Sequence, residues 1–214
     1  MKERIFVEEG IKRMQIEEYL ANLFERAGYS HCEIQRTPLG LRIAVYAARP
    51  GLVIGRRGRN IDKIVEDLKK RFALDNVNLD VREVEVPELD AQVMAREIAR
   101  ALEKGINYKR VVNVIMRRIM EHAAGCMIKV SGKLSGELAR TEKFFAGYLK
   151  HAGEYAETLV RAGKATALLK PGVIGIEVKI LPELPTEMKL EKERREEGEE
   201  GGDNKEERTE EDER

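Results

Sequence analysis

Gly55-Arg56-Arg57-Gly58, followed at once by Arg59, is the stretch of this 214-residue chain best suited to chemistry on a polyanion. Glycine lets a backbone take positive φ and approach a ribose-phosphate strand closely. A helix that starts just after such a turn adds free N–H groups and the positive end of its dipole. Arg56 and Arg57 fill both x positions of this GxxG, and their charge does not titrate away. With 18 glycines in the chain a chance GxxG is expected, so the spacing decides little by itself. The competing reading is a solvated turn flanked by ordinary core residues.

Other chemistries fit the residues less well. Gly58 is followed by Arg59-Asn60, not by the Lys-Ser or Lys-Thr of a nucleotide-cradling loop, and no GxGxxG occurs. Ser131 and Ser135 read as members of a glycine-bounded loop, and His151 has no identifiable partner, so no nucleophile stands beside a base. Cys32 and Cys126 form no CxxC, which argues against a disulfide framework and predicts two buried thiols. His122 and Cys126 stand four residues apart, a ligand-like spacing, but with 3 histidines no four-ligand zinc set assembles. The residues call for no metal, no cofactor and no small-molecule substrate.

The elements that must position the loop follow from hydrophobic spacing. Ile16, Leu20, Leu23, Phe24 and Ala27 form one stripe of a helix predicted from about Ile11 to Ala27, stopped by Gly28. Alternation predicts strands at His31 to Arg36 and at Leu41 to Val45, separated by the turn Pro38-Leu39-Gly40. A short helix at Leu52 to Ile54 precedes the GxxG, and Ile61, Ile64, Val65, Leu68 and Phe72 mark the helix after it. Val77, Leu79 and Val81 alternate as a closing strand.

Past Pro87 the pattern begins afresh. Asp90 is a predicted N-cap for a helix running through Val93, Met94, Ile98 and Leu102 to Gly105. A second helix, Lys109 to about Ala123, carries Val112, Ile115 and Ile119 on one side and Lys109, Arg110, Arg117 and Arg118 among its polar positions. Strands are predicted at Cys126 to Val130, around Glu157 to Leu168, and at Ile174 to Ile180. Two helices on a sheet of three or four strands is the economical architecture.

The formal net charge of +0 hides a segregation. Residues 183–214 carry 15 acidic and 7 basic side chains, which leaves 32 basic against 24 acidic in residues 1–182. A basic body favours polyanion partners. The acidic tail is too poor in apolar residues to offset its ordering entropy and is predicted to be disordered. The start, MKERIFVEEGIKRM, lacks the apolar run of a secretory signal, and no apolar stretch reaches membrane-spanning length, which predicts a cytoplasmic protein.

The helix, strand, strand, short helix, glycine loop, helix, strand order is that of the type II KH fold. RPGLVIGRRGRNIDKI resembles the KH segment of the third small-subunit ribosomal protein family. KH modules clamp about four nucleotides over an apolar floor, for which Val53, Ile54, Ile61 and Ile64 are the candidates. SGKLSGELARTE and ALLKPGVIGIEVKI, in the second half, are similar to two C-terminal motifs of the same family. The AGY and TPLG segments resemble its archaeal and eukaryotic branch. The resemblance implies an α/β (α+β) protein: a type II KH domain over residues 1–86, a C-terminal ribosomal domain over 87–184, and the acidic tail over 185–214.

The resemblance further implies a structural constituent of the small-subunit head with small-subunit rRNA, mRNA at the entry channel and neighbouring ribosomal proteins as partners. Gly55, Arg56, Arg57, Gly58 and Arg59 would contact RNA. Lys109 and Arg110 match the family's channel-facing cations, a third basic position falls at Asn113, and Arg117 and Arg118 lie one turn on. Lys133 and Arg140 match basic positions of the serine-glycine motif. Two rivals stay open at this level: a DNA-lesion lyase or nuclease using Lys129 or Lys133, and a free-standing KH regulator. A Schiff-base lysine needs a desolvated or cation-crowded site, and the C-terminal motifs argue against a lone KH module.

Overall fold

The computed structural model describes residues 2–37, 40–72, 76–134 and 136–184, without the side chains of Lys2, Glu3, Ile5 and Arg57. The predicted tail and the turn residues Pro38 and Leu39 lie outside the described residues. No helix among them is long and apolar enough to cross a membrane.

The N-terminal half has the type II KH order: α1 (Lys2–Leu23), β1 (Tyr29–Thr37), β2 (Gly40–Ala47), α2 (Pro50–Ile54), α3 (Arg59–Phe72) and β3 (Val77–Glu83). Strand β2 is central, antiparallel to β1 and parallel to β3. Ile16, Leu20 and Phe24 of the first helical segment meet Ile43 and Val45 of β2 and Ile64 and Leu68 of α3 in one buried cluster. The parallel β2–β3 pair requires a crossover, and α2, the glycine turn and α3 are that crossover.

Helix α1 begins at Lys2, well before the predicted Ile11. Its first turns are rich in Glu, Lys and Arg, good helix formers, but their apolar residues Phe6, Val7, Ile11 and Met14 are exposed and make no core-facing stripe to read. The helix also ends early, at Leu23; a single 3₁₀ turn, Glu25–Ala27, carries the stripe's last residue, and Gly28 closes it at φ 73, ψ 56.

The C-terminal half contains α4 (Ala91–Glu103), α5 (Tyr108–Met120), β4 (Gly125–Gly132), β5 (Arg140–Gly147), the short α6 (Glu154–Thr158), β6 (Arg161–Leu169) and β7 (Gly172–Leu181). Its antiparallel sheet has the order β5-β4-β7-β6. Met94, Ile98, Val112, Ile115 and Ile119 of the two long helices pack on Cys126, Ile128, Val130, Ile176, Val178 and Ile180 of the sheet. Asp90 caps α4 as predicted, its carboxylate accepting from the N–H groups of Gln92 and Val93 at 2.9 and 3.4 Å.

Strand β5 was not foreseen; Phe144 and Ala146 face the core but the adjacent Phe145 faces out, and two consecutive phenylalanines blur a period of two. The predicted strand from Glu157 is helical at its start and extended only from Arg161, because Gly153 at φ 88 opens α6 and the Thr158 hydroxyl donates to the Glu154 carbonyl at 3.0 Å. Ser131 belongs to β4, paired with Thr141 and Gly175, not to a loop. Ser135 lies outside the described residues.

Two arginines of α4 join the halves. Arg96 donates to the Ala21 carbonyl at 3.2 Å and lies 5.1 Å from the Tyr29 ring centroid. Arg100 donates to the Arg26 carbonyl at 3.4 Å. Burial lowers the Arg96 guanidinium from its ordinary value and raises the Tyr29 phenol, so the pair is a partly desolvated joint.

Candidate nucleic-acid interface

Pro50 starts α2 at a position where its missing N–H costs nothing, and the Gly55 N–H returns to the Gly51 carbonyl at 3.0 Å. Gly55 then adopts φ 71, ψ −178, a region essentially reserved for glycine. A 3₁₀ turn over Arg56–Gly58 follows, Gly58 stands at φ 76, and α3 begins at Arg59. Both glycines of the GxxG therefore take positive φ, and the chain reverses from one helix end into the N-terminus of the next.

Asn60 holds this turn, and sequence reasoning missed it. Its side-chain amide donates to the Leu52 carbonyl at 3.4 Å, and a Cβ on Gly55 would come within 2.6 Å of Asn60 Cγ. Gly51, Leu52, Gly55, Arg56, Arg59, Asn60 and Lys63 line one shallow depression. Arg56, Arg59 and Lys63 are exposed at its rim; the Arg57 side chain lies outside what the structure describes. Lys63 was also missed, although it stands one turn after Arg59 on the same helix.

The apolar surface beside the turn differs in detail from the predicted floor. Val53 is fully buried and Ile64 nearly so, both in the N-terminal core, and they offer no surface to a base. Ile54 is 40% and Leu52 54% exposed, and Ile61 is half-buried. Any base-contacting floor is thus Leu52, Ile54 and Ile61, with Val53 and Ile64 supporting it from beneath.

In the second half, Asn107 caps α5 by accepting from the Lys109 N–H at 3.0 Å. Lys109 and Arg110 are exposed in the first turn, with Asn113 and Arg117 exposed further along. Lys109, Asn113 and Arg117 follow at i, i+4 and i+8, one row of the helix. Arg118 points elsewhere: it binds Glu97 at 2.7 Å and Glu88 at 3.2 Å. The hydrogen bond that Arg118 donates to Glu97 first, and the one it donates to Glu88, raise its guanidinium from the ordinary value. Burial alone would raise the Glu88 carboxyl, but its own backbone N–H and Arg118 together hold it below the usual carboxylate range.

Glu142 links two of the predicted patches. It accepts from the Tyr108 hydroxyl at 3.0 Å and lies 3.9 Å from the Arg140 guanidinium, while the Lys109 ammonium stands 5.9 Å from the Tyr108 ring centroid. The start of α5 and the end of the serine-glycine motif thus meet at one carboxylate. Lys133, exposed, lies just past β4 in the same motif. The 3₁₀ turn of the GxxG packs against α3, within its own half.

Neither candidate Schiff-base lysine is sealed from water. Lys129 is 36% exposed and faces Glu177 at 3.5 Å, and Lys133 is exposed. Burial pushes the Cys126 thiol up to about 11 and raises Cys32 as well, so neither is poised as a nucleophile.

A KH-domain profile matches residues 15–89, and the profile of the ribosomal protein S3 C-terminal domain matches residues 98–180. The small ribosomal subunit protein uS3 of Methanocaldococcus jannaschii is 52% identical over 182 residues, 85% of this chain and 88% of its own length. Its counterparts in Methanococcus aeolicus and Methanobrevibacter smithii are 44% and 48% identical, each over 85% of this chain and over 88% and 73% of their own lengths. A chain that carries both domains in this order, over this span and at this identity, belongs to the uS3 family of small ribosomal subunit proteins in its archaeal form.

Proposed function

We propose that this chain is a structural, non-enzymatic constituent of the small ribosomal subunit in the cytoplasm, that it binds rRNA, and that part of its basic surface faces mRNA at the entry channel. The observation that carries the reading is the GxxG turn, with both glycines at positive φ and Arg56 and Arg59 exposed ahead of α3. Such a turn accepts a ribose-phosphate backbone and lays its bases over Leu52, Ile54 and Ile61. The division near Pro87 gives that turn its own domain, residues 1–86, ahead of the unit over 87–184.

The entry-channel assignment rests on α5. Lys109 and Arg110, exposed at the N-terminal end, add their charge to the positive end of the helix dipole, and Arg117 continues the row. Arg118 is held instead by its two carboxylate partners, which makes it the weaker candidate for that role. Subunits carrying Lys109→Glu with Arg110→Glu are expected to assemble normally but to engage structured mRNA more weakly, because exposed helix charges alter stability by no more than about 0.5 kcal/mol. Normal movement through structured mRNA would remove these residues from the channel. Asn113→Lys, which fills the gap in the row, is expected to strengthen the grip.

A further inference from the structure

Helices α4 and α5 cover one face of the four-stranded sheet, and strand register sorts the residues of the other face into rows. Across β5, β4, β7 and β6, one row reads Lys143, Lys129, Glu177, Lys164. On one side of it stand Phe145, Met127, Lys179 and Ala162, and on the other Thr141, Ser131, Gly175 and Thr166. Among the described strand residues of these rows, four lysines stand with one carboxylate. Lys129 and Lys179 reach Glu177 at 3.5 and 3.9 Å, and a single carboxylate does not neutralise both. Lys143 and Lys164 are exposed and form no ion pair among the described residues. Lys143 also stands directly opposite Lys129, a like-charge pair that destabilises an antiparallel ladder unless something compensates it.

One end of the face is closed. Met127 and Leu181 are buried there although they point away from the helices. The chain leaving β5 passes over them: a Cβ on Gly125 would lie 2.0 Å from the Tyr148 carbonyl oxygen, and His151 meets the Phe145 ring edge-on at 5.9 Å. The lysine row and the row of small hydroxyl residues lie beyond that cover, with Phe145, 54% exposed, at the border.

We propose that this open sheet face is a second RNA-binding surface, taking the ribose-phosphate backbone of a single strand across Lys143, Lys129, Lys164 and Lys179. The lysine row crosses three strand spacings, about 14 Å, so its charges are offered in a line. The adjacent row of Thr141, Ser131, Gly175 and Thr166 keeps the face flat and supplies hydroxyls suited to the 2′-OH, and Phe145 provides a ring on which a base stacks. A polyanion also supplies the missing counter-charge for Lys143. The inference extends the RNA-binding reading but uses none of its residues, so the two fail separately.

The test is titration of the full chain with a labelled oligouridylate at several salt concentrations. Lys143→Thr with Lys164→Thr keeps strand-forming residues on the face. If two phosphate contacts are lost, the slope of log affinity against log salt flattens by roughly 1.4, and the wild-type advantage shrinks about sevenfold over a fourfold rise in salt. Glu177→Gln, which releases Lys129 and Lys179, is expected to do the opposite and tighten binding. The lysine effect should persist in an Arg56→Asp, Arg57→Asp background. Lys12→Gln with Arg13→Gln, on exposed α1 positions, is the charge-matched control. Equal losses in the control and the face variant, or weaker binding by Glu177→Gln, would overturn the proposal. An effect that appears only after removal of residues 185–214 would give the face to the acidic tail instead and would also overturn it.

Discussion

Gly55 and Gly58 both take positive φ, yet their replacement by alanine should cost different amounts. A Cβ on Gly58 meets nothing within 4 Å, so only the left-handed backbone is penalised, by about 1 kcal/mol. At Gly55 the backbone region is more forbidding and Asn60 must also move, so a loss of about 2 to 3 kcal/mol is expected in chemical denaturation. Equal losses would mean that Asn60 does not lock the turn. Charge at the same turn is a separate matter. Arg56→Asp with Arg57→Asp keeps both glycines and reverses what phosphate meets. Well-made charge-assisted contacts are worth about 1.5 to 3 kcal/mol each, and less when exposed, so single-stranded RNA affinity should fall at least about tenfold. The salt slope should flatten by roughly 1.4. Full affinity with an unchanged slope, the fold being intact by circular dichroism, would falsify the phosphate role of the turn.

Among the elements, α5 shows how adjacent cations divide. Arg118 ties α5 to α4 through Glu97 and to the Pro87–Leu89 turn through Glu88, whereas Arg117 is exposed on the Lys109 row. Arg118→Ala is expected to destabilise by about 1 kcal/mol, a modest figure because the network is partly solvated. Arg117→Ala should stay within about 0.5 kcal/mol and act on RNA affinity instead. The network also has a pH signature. Glu88 is held below its unfolded carboxyl value, so its stabilisation is complete above that value and is lost as the pH falls through the folded one. The melting temperature of the wild type should therefore drop more steeply in acid than that of Glu88→Gln; parallel curves would show that the Glu88 carboxylate does not stabilise the fold. The difference between Arg117 and Arg118 was not legible in the sequence, because both occupy polar positions and their partners come from segments more than 20 residues away. The stripes of α3, α4 and the rest of α5 were legible, since each buries one face on a sheet. The start of α1 was not, for Phe6, Val7, Ile11 and Met14 are exposed and mark no buried face. Val53 was misassigned to a surface floor because spacing marks a residue as apolar without saying which side of a five-residue helix meets the core.

At the scale of the molecule, charge segregates into a basic body and an acidic end of 15 acidic and 7 basic side chains. Strand β7 ends at the fully buried Leu181, so truncation after Leu184 leaves the second core whole. The melting temperature is expected to change by no more than about a degree. Non-specific RNA binding at low salt should tighten, since the acidic segment competes with phosphate for the body. An unchanged affinity would rule out self-competition, and a large loss of stability would show that the segment packs. The basic body is a joined pair of units, with Arg96 and Arg100 of α4 reaching back to carbonyls at the end of the first helical segment. That joint ties α4 of the second unit to the end of the first helical segment. The most direct test of the central claim is a map of RNA crosslinks to this chain in intact small subunits. Crosslinks are expected to concentrate at Arg56 to Arg59 and at Lys109 and Arg110, with Lys133 and Arg140 contributing. A chain that sediments with the subunit but crosslinks only through other surfaces, leaving the GxxG turn and the start of α5 unmodified, would contradict it.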